Sequence, residues 1–348
     1  MKILYAIQGT GNGHLARARH IIPFLKEKGE VDILLSGCHS EISLPWEIKY
    51  RLLGLGFVFG KKGGIDFLKT YQKNKVRKLI SEIRNLPIHQ YDLVISDFEP
   101  ISSWACWLRN KVCVGLSNQA VALSPGVPIC DSKDWMGKAV LSNYAPATVK
   151  FGFHFQKYNP GVFNPIVRQE VRNVEVTNEG HYLVYLPFYS DDRIINALVN
   201  IPQVEWQVFS KYSTTEYRQN NVWIRPITND AFLQSMASSA GILSSAGFTL
   251  PSEAIYLGKK LLVMPQKNQF EQQCNAMALN EMGIQVVKTL KPERLPEILR
   301  WINLGKAIKV EWQDETQLMV HQIMHYYNQY VAVPANTISN TNISAASI

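Results

Sequence analysis

Cysteine is scarce in this chain and never closely paired. Five occur in 348 residues, at positions 38, 106, 113, 130 and 274, and no two form a C-x-x-C. An odd, scattered set offers neither a disulfide framework nor a zinc knuckle, and fits buried thiols in a reducing compartment. Other signatures are missing too. There is no H-E-x-x-H, no G-x-S-x-G and no D-x-D. The first absence removes a metalloprotease helix, and the second removes the nucleophile elbow of a serine hydrolase. His321 and His325 stand four apart, but two imidazoles alone do not make a metal site. No apolar run approaches the ~18 residues of a membrane-spanning helix. The opening MKILYAIQ is too short for a secretion signal and lacks a small-residue cleavage site. No basic stretch is interleaved with aromatics as in a nucleic-acid binder, so nucleic acid is not an expected partner. The expectation is a cytoplasmic protein with no bound metal or cofactor.

What is present is enough for a large enzyme. Hydrophobic residues make up 46% of the chain, and its length suggests about two domains of roughly 150 residues each. Strand and helix alternate, as in a doubly wound parallel sheet. In the first half, strands are expected at 2–8, 31–36, 93–96 and 112–115, with helices at 15–28 and 102–109. Pro23 suggests a kink or boundary in the first helix. Residues 121–160, rich in Pro, Gly and isolated aromatics, read as irregular. In the second half, strands are expected at 182–186, 205–209, 222–225, 241–243, 261–264 and 285–287. The chain therefore divides into a Rossmann-like domain over 1–160, a second over 175–311, a helix over 312–330 and a disordered tail over 331–348.

The turn Gly9-Thr10-Gly11-Asn12-Gly13-His14 follows the first strand. Glycines let the backbone approach a ligand and leave amides free. The spacing is G-x-G-x-G, not G-x-G-x-x-G. The second strand ends in Ser36-Gly37, without the ribose-binding acid of a dinucleotide fold. His14 opens the following helix, and Asp97 ends the buried run YDLVISD, on the sheet edge where ligands collect. Two readings of Asp97 stay open here: partner of His14, or N-cap of the next helix. Glu99 is its rival.

Residues 244–276, SSAGFTLPSEAIYLGKKLLVMPQKNQFEQQCNA, are the most informative stretch. They read as turn, helix, buried strand, loop and helix. Gly247 opens the turn, Pro251 suits a first helical position, and Leu261-Leu262-Val263-Met264 is a buried strand ended by Pro265. Helix N-termini attract anions, and nearby carboxylates and amides suit sugar hydroxyls. Ser252-Glu253 followed by Gly258, and Glu271-Gln272-Gln273-Cys274-Asn275-Ala276, resemble the S-E-(x)4–5-G helix and the D/E-Q-x-x-N-A element of nucleotide-sugar glycosyltransferases with the GT-B fold. The resemblance is nearest to the lipid II-forming N-acetylglucosaminyltransferase superfamily and to a bacterial and archaeal glycosyltransferase family. It covers about residues 1–20, 90–100 and 180–290.

The resemblance implies an α/β protein of two Rossmann-like doubly wound domains facing a cleft. It implies donor contacts at Gly11, Gly13, Ser245, Ala246, Gly247, Phe248 and Thr249. Glu253 would grip the ribose, and Glu271 and Gln272 the sugar. Asn275 reads better as a structural hydrogen-bonder. The loop Phe188-Tyr189-Ser190-Asp191 stands where the family places diphosphate contacts, but lacks its glycines. His14 would be the general base, with Asp97 behind it.

The formal net charge of +8 is concentrated. Residues 61–84 hold Lys61, Lys62, Lys69, Lys73, Lys75, Arg77, Lys78 and Arg84 against Asp66 and Glu82, a local balance of 8 − 2 = +6. The apolar stretch RLLGLGFVF, starting at Arg51, stands just before. Segment 51–84 is either an ordinary surface helix with its loop or a peripheral contact with an anionic membrane. The expected activity is inverting, metal-independent transfer from a nucleotide-sugar, UDP-linked in the first instance, to a glycan, lipid-linked or small-molecule acceptor. A nucleotide-sugar hydrolase, a 2-epimerase or a non-catalytic binder would share the fold.

Overall fold

The computed structural model describes residues 1–10, 12–37, 44–54, 76–130 and 134–332. Gly11, Lys61, Lys62, Lys69, Lys73, Lys75 and the expected tail beyond Ala332 lie outside the described residues. The chain forms two compact units. The first runs to Ile166 and resumes at Gln313, and the second is Val167–Trp312.

The first unit is built on a seven-stranded sheet in the order β3-β2-β1-β4-β5-β6-β7. Its strands are β1 (Lys2–Gln8), β2 (Glu30–Ser36), β3 (Tyr50–Leu52), β4 (Leu93–Asp97), β5 (Cys113–Leu116), β6 (Val149–Phe153) and β7 (Val162–Phe163). All pairings are parallel. The central strands are buried almost end to end, so their sequences are continuous apolar runs rather than alternating ones. Helix Asn12–Lys26 packs through Leu15, Ala18, Ile21, Ile22 and Leu25, a 3.6-residue stripe. It also contacts the last helix, Thr316–Ala332.

The second unit repeats the plan. Its sheet order is β10-β11-β9-β8-β12-β13-β14. The strands are β8 (Tyr182–Tyr185), β9 (Trp206–Ser210), β10 (Tyr217–Gln219), β11 (Val222–Pro226), β12 (Gly241–Ser245), β13 (Lys260–Met264) and β14 (Gln285–Val286). Only β10 runs antiparallel, as a short edge strand hairpinned to β11. Set β10 aside and count from β8, and the order is 3-2-1-4-5-6. The first unit has that order too, extended by β7. In such sheets ligands collect at the carboxyl ends where the winding reverses. Here those points are β1/β4 and β8/β12.

Several expectations are corrected. The stretch 121–160 is not irregular. It holds helix Trp135–Asn143, capped by the Asp134 carboxylate on the Gly137 amide, and strand β6. Its scattered aromatics, Phe151 and Phe153 among them, are core residues of a short strand. Pro23 does not end the first helix, which runs on to Lys26. Helix Thr249–Tyr256 starts two residues before Pro251. Pro251 still loses no hydrogen bond there, because the first four amides of any helix lack an internal acceptor. The short strand β3 replaces the start of the apolar stretch at Arg51.

Candidate active site

In the first unit, Ile7 on β1 lies opposite Asp97 on β4. The chain leaves β1 through Gly9, whose amide donates to the Ser36 carbonyl at 2.6 Å. A Cβ at Gly9 would stand 2.9 Å from the Leu35 side chain and 3.0 Å from the Ser36 oxygen, so only glycine fits this turn. The first helix begins at once and places His14 in its first turn. His14 Nδ1 lies 2.7 Å from Asp97 Oδ1. Arg17, one turn on, brings Nη2 to 3.1 and 3.4 Å from the two Asp97 oxygens and to 2.9 Å from the same His14 nitrogen.

These contacts decide the tautomer. A nitrogen 2.7 Å from a carboxylate oxygen needs a proton between them, so Nδ1 carries it and donates to Asp97. Nδ1 then cannot also accept from Arg17, whose hydrogen bonds belong to Asp97. Nε2 is left as the basic nitrogen and has no partner among the described residues. The His14 side chain is 12% exposed, and that of Asp97 is wholly buried. Burial alone would raise the Asp97 pKa. The charges and hydrogen bonds of Arg17 and His14 outweigh burial and hold it below the ordinary carboxylate range.

The rivalry between Asp97 and Glu99 is resolved by geometry. Glu99 caps helix Pro100–Leu108, accepting from the Ile101 amide at 2.9 Å and the Ser102 amide at 2.6 Å. It is fully buried, and desolvation lifts its pKa above the usual value. Asp97 is therefore free of capping duty. Between them Phe98 adopts a left-handed backbone, φ +53°, which a bulky side chain seldom tolerates. Its ring stacks on Tyr144 at 4.7 Å, and the Tyr144 hydroxyl accepts from Gln8 Nε2. Local strain of this kind gathers at sites that surrounding structure holds in place.

In the second unit, β12 delivers Ser245, Ala246, Gly247 and Phe248 to the β8/β12 reversal. Helix Thr249–Tyr256 then starts with no side-chain cap. Its first amides are open to an anion. A Cβ at Gly247 would have no neighbour nearer than Ser245 Oγ at 3.8 Å, so packing makes no demand for glycine there. Glu271 and Gln272 lie in the first turn of helix Phe270–Glu281. Gln272 Oε1 accepts from the Gln266 amide at 2.9 Å and shapes the preceding loop. In that loop Asn268 is left-handed, φ +58°, a conformation asparagine tolerates. Asn275 is structural: buried, with Nδ2 donating to the Ala246 carbonyl at 3.1 Å. Asp191, expected in the loop after β8, instead opens helix Asp191–Leu198 and is taken by Ser210 and Tyr217.

A model for glycosyl transferase family 1 matches residues 1–302. The chain belongs to that family. No curated protein sequence matches it. Solved structures match over nearly the whole length. The glycotransferase of kitacinnamycin is 10% identical, with 94% of this chain and 95% of that one aligned and a TM-score of 0.58. MurG of Acinetobacter baumannii is 14% identical, covering 93% and 99%, with a TM-score of 0.55. Phytolacca americana UGT2, complexed with UDP-2fluoro-glucose and pterostilbene, is 13% identical, covering 96% and 95%, with a TM-score of 0.55. The fold of this family 1 glycosyltransferase is GT-B.

Two arginines escaped the sequence reading. Arg17 stands three residues after His14, the spacing that puts both on one helix face, and that spacing was the available signal. Arg168 had none. Its Nε and Nη2 donate to the two Glu253 oxygens at 2.6 and 2.9 Å, across 85 residues. Burial would lower the Arg168 pKa, but the Glu253 bond and charge raise it overall. Glu253 is 2% exposed and thus already holds a cation with both oxygens. Glu253→Ala strands that guanidinium and is expected to cost about 3 kcal/mol of stability. Adding Arg168→Met should recover most of the loss. Urea unfolding of the single and double variants measures both, and an unaffected single variant would show the pair to be idle.

Proposed function

We propose that this glycosyltransferase moves a sugar from a UDP-sugar to a hydroxyl acceptor with inversion, without a bound metal. The observation that carries the reading is His14: Nδ1 bonded to Asp97, and Nε2 without a partner among the described residues. In one displacement the acceptor hydroxyl attacks the anomeric carbon, its proton passes to His14 Nε2, and the nucleoside diphosphate leaves. Asp97 holds the imidazole in the required tautomer and offsets the charge it gains. The second unit takes the donor. The free amides at the start of helix Thr249–Tyr256 would receive the diphosphate, the backbone at Ser245–Phe248 would lie along it, and Glu271 and Gln272 would meet the sugar. Fixed dipoles of this kind stabilise a leaving anion without reorganisation. Glu253 would share a ribose hydroxyl while keeping Arg168. Gly13 would give the backbone of the first turn its close approach. Support for a uridine donor comes from similar solved proteins, one complexed with UDP-2fluoro-glucose and one with UDP. Another is complexed with DTDP, which makes thymidine the natural competitor.

The test is a paired one. UDP and UDP-sugars are expected to raise the melting temperature of the wild type and of His14→Ala alike. Transfer should fall by at least about a hundredfold in His14→Ala, the usual contribution of a general base. Near-normal turnover in that variant would remove His14 from the chemistry. Stabilisation by another nucleotide and not by UDP would remove the uridine donor.

A second reading concerns location. No helix among the described residues is long and apolar enough to cross a membrane. Helix Val76–Asn85 packs Leu79 and Ile83 against the core but leaves Val76 38% and Ile80 44% exposed, beside Arg77, Lys78 and Arg84. The neighbouring helix Pro100–Leu108 exposes Trp107 and Leu108. A basic and apolar face of this kind suits an anionic lipid surface and hence a lipid-linked acceptor, each basic residue adding roughly 1 kcal/mol. Sedimentation with anionic vesicles at low salt, lost at high salt and in Arg77→Glu/Lys78→Glu, is the expected result. Equal partitioning onto neutral and anionic vesicles, or none onto either, would remove the charge-driven lipid contact.

A further inference from the structure

We propose that Arg17 is a positioning residue of the reaction, the third member of a buried Arg17–Asp97–His14 cluster that clamps the carboxylate and keeps His14 a neutral imidazole. The inference rests on the reading of His14 as the base.

Arg17 is 4% exposed, an unusual place for a guanidinium. Among the described residues the only acceptor it donates to is Asp97, and its Nη2 also stands 2.9 Å from His14 Nδ1. Its Nε is buried without a partner, and its guanidinium carbon stands 5.8 Å from the Phe153 ring centroid. Arg109 shows what a structural arginine does in the same unit: it ties backbone carbonyls of Ile83, Arg84 and Ala105. Arg17 ties none. Among the described residues its polar contacts all lie within the cluster.

The chemistry follows from the charges. A bare carboxylate 2.7 Å from an imidazole stabilises the imidazolium, and a base already protonated cannot take the acceptor's proton. A guanidinium 2.9 Å from the same nitrogen opposes that protonation, and it stays charged at any working pH. Paired with Arg17, Asp97 presents His14 with an oriented acceptor and little net charge. Other ionisable groups border the cluster. Tyr5 on β1 is fully buried, and burial first, then the Asp97 charge, raises its pKa, so it stays neutral. Glu99, beyond β4, is spent on its helix cap. Tyr144 bonds Gln8. Farther along the first helix, His20 is held by Asp314 at 2.6 Å.

The test reads His14 directly. The full chain is labelled with carbon-13 histidine, and the His14 signal is assigned by its loss in His14→Gln. The His14 pKa is then followed by NMR in wild type, Arg17→Met and Arg17→Lys. Removing the cation is expected to raise the pKa by about one unit or more, and lysine should return it toward the wild-type value. A pKa that is unmoved or lowered in Arg17→Met overturns the proposal, since a merely structural arginine would leave the titration in place. Should the methionine variant not fold, Arg17→Gln makes the same neutral substitution. Failure of the base assignment is a separate result: transfer that persists in His14→Gln.

Discussion

A carboxylate buried at the end of a central strand must be paired inside the protein or give up its charge. Asp97 is in that position, and the first unit is arranged around it. The helix after β1 supplies both partners from one turn, His14 and Arg17. Glu99 takes over the capping of helix Pro100–Leu108, which leaves Asp97 for the cluster. Phe98 absorbs the bend between the two acids in a left-handed conformation, held by its stack on Tyr144. Each of these features has a physical purpose once Asp97 is ionised and buried, and little purpose otherwise.

The second unit solves a similar problem differently. Glu253 is also buried, in the middle of a short helix, and its charge is met by Arg168 from the stretch just past the unit boundary. The helix start itself has no side-chain cap. Anion-binding capacity and charge compensation are thus separated by about one helical turn. The two sheets share the 3-2-1-4-5-6 order, so both sets of residues stand at the carboxyl ends of strands where the winding reverses. In the proposed reaction one reversal receives a phosphate-bearing donor and the other takes a proton.

Much of this was legible in the sequence, for identifiable reasons. Buried parallel strands are continuous apolar runs, so LVISD and KLLVM could be placed within a residue or two. The glycine turn and His14 stood out because glycine spacing is local. The pairing of His14 with Asp97 could be suggested but not decided, because capping by Asp97 or Glu99 fits the same sequence. The stretch 121–160 misled because short strands and helices rich in Pro, Gly and aromatics carry no clear period. Arg168 was invisible, since its partner lies 85 residues away and nothing local marks the pair. Gly11 and most of the basic segment lie outside the described residues.

The central claim is a single displacement assisted by a histidine base, and stereochemistry tests it most directly. Proton NMR of the first-formed product, with an α-linked UDP-sugar as donor, reads the anomeric configuration from its coupling constant. The account predicts a β-linked product, because attack from the face opposite the leaving diphosphate inverts the centre. An α-linked product would contradict it, since retention requires a different course at the anomeric carbon and leaves no place for His14 as the sole base.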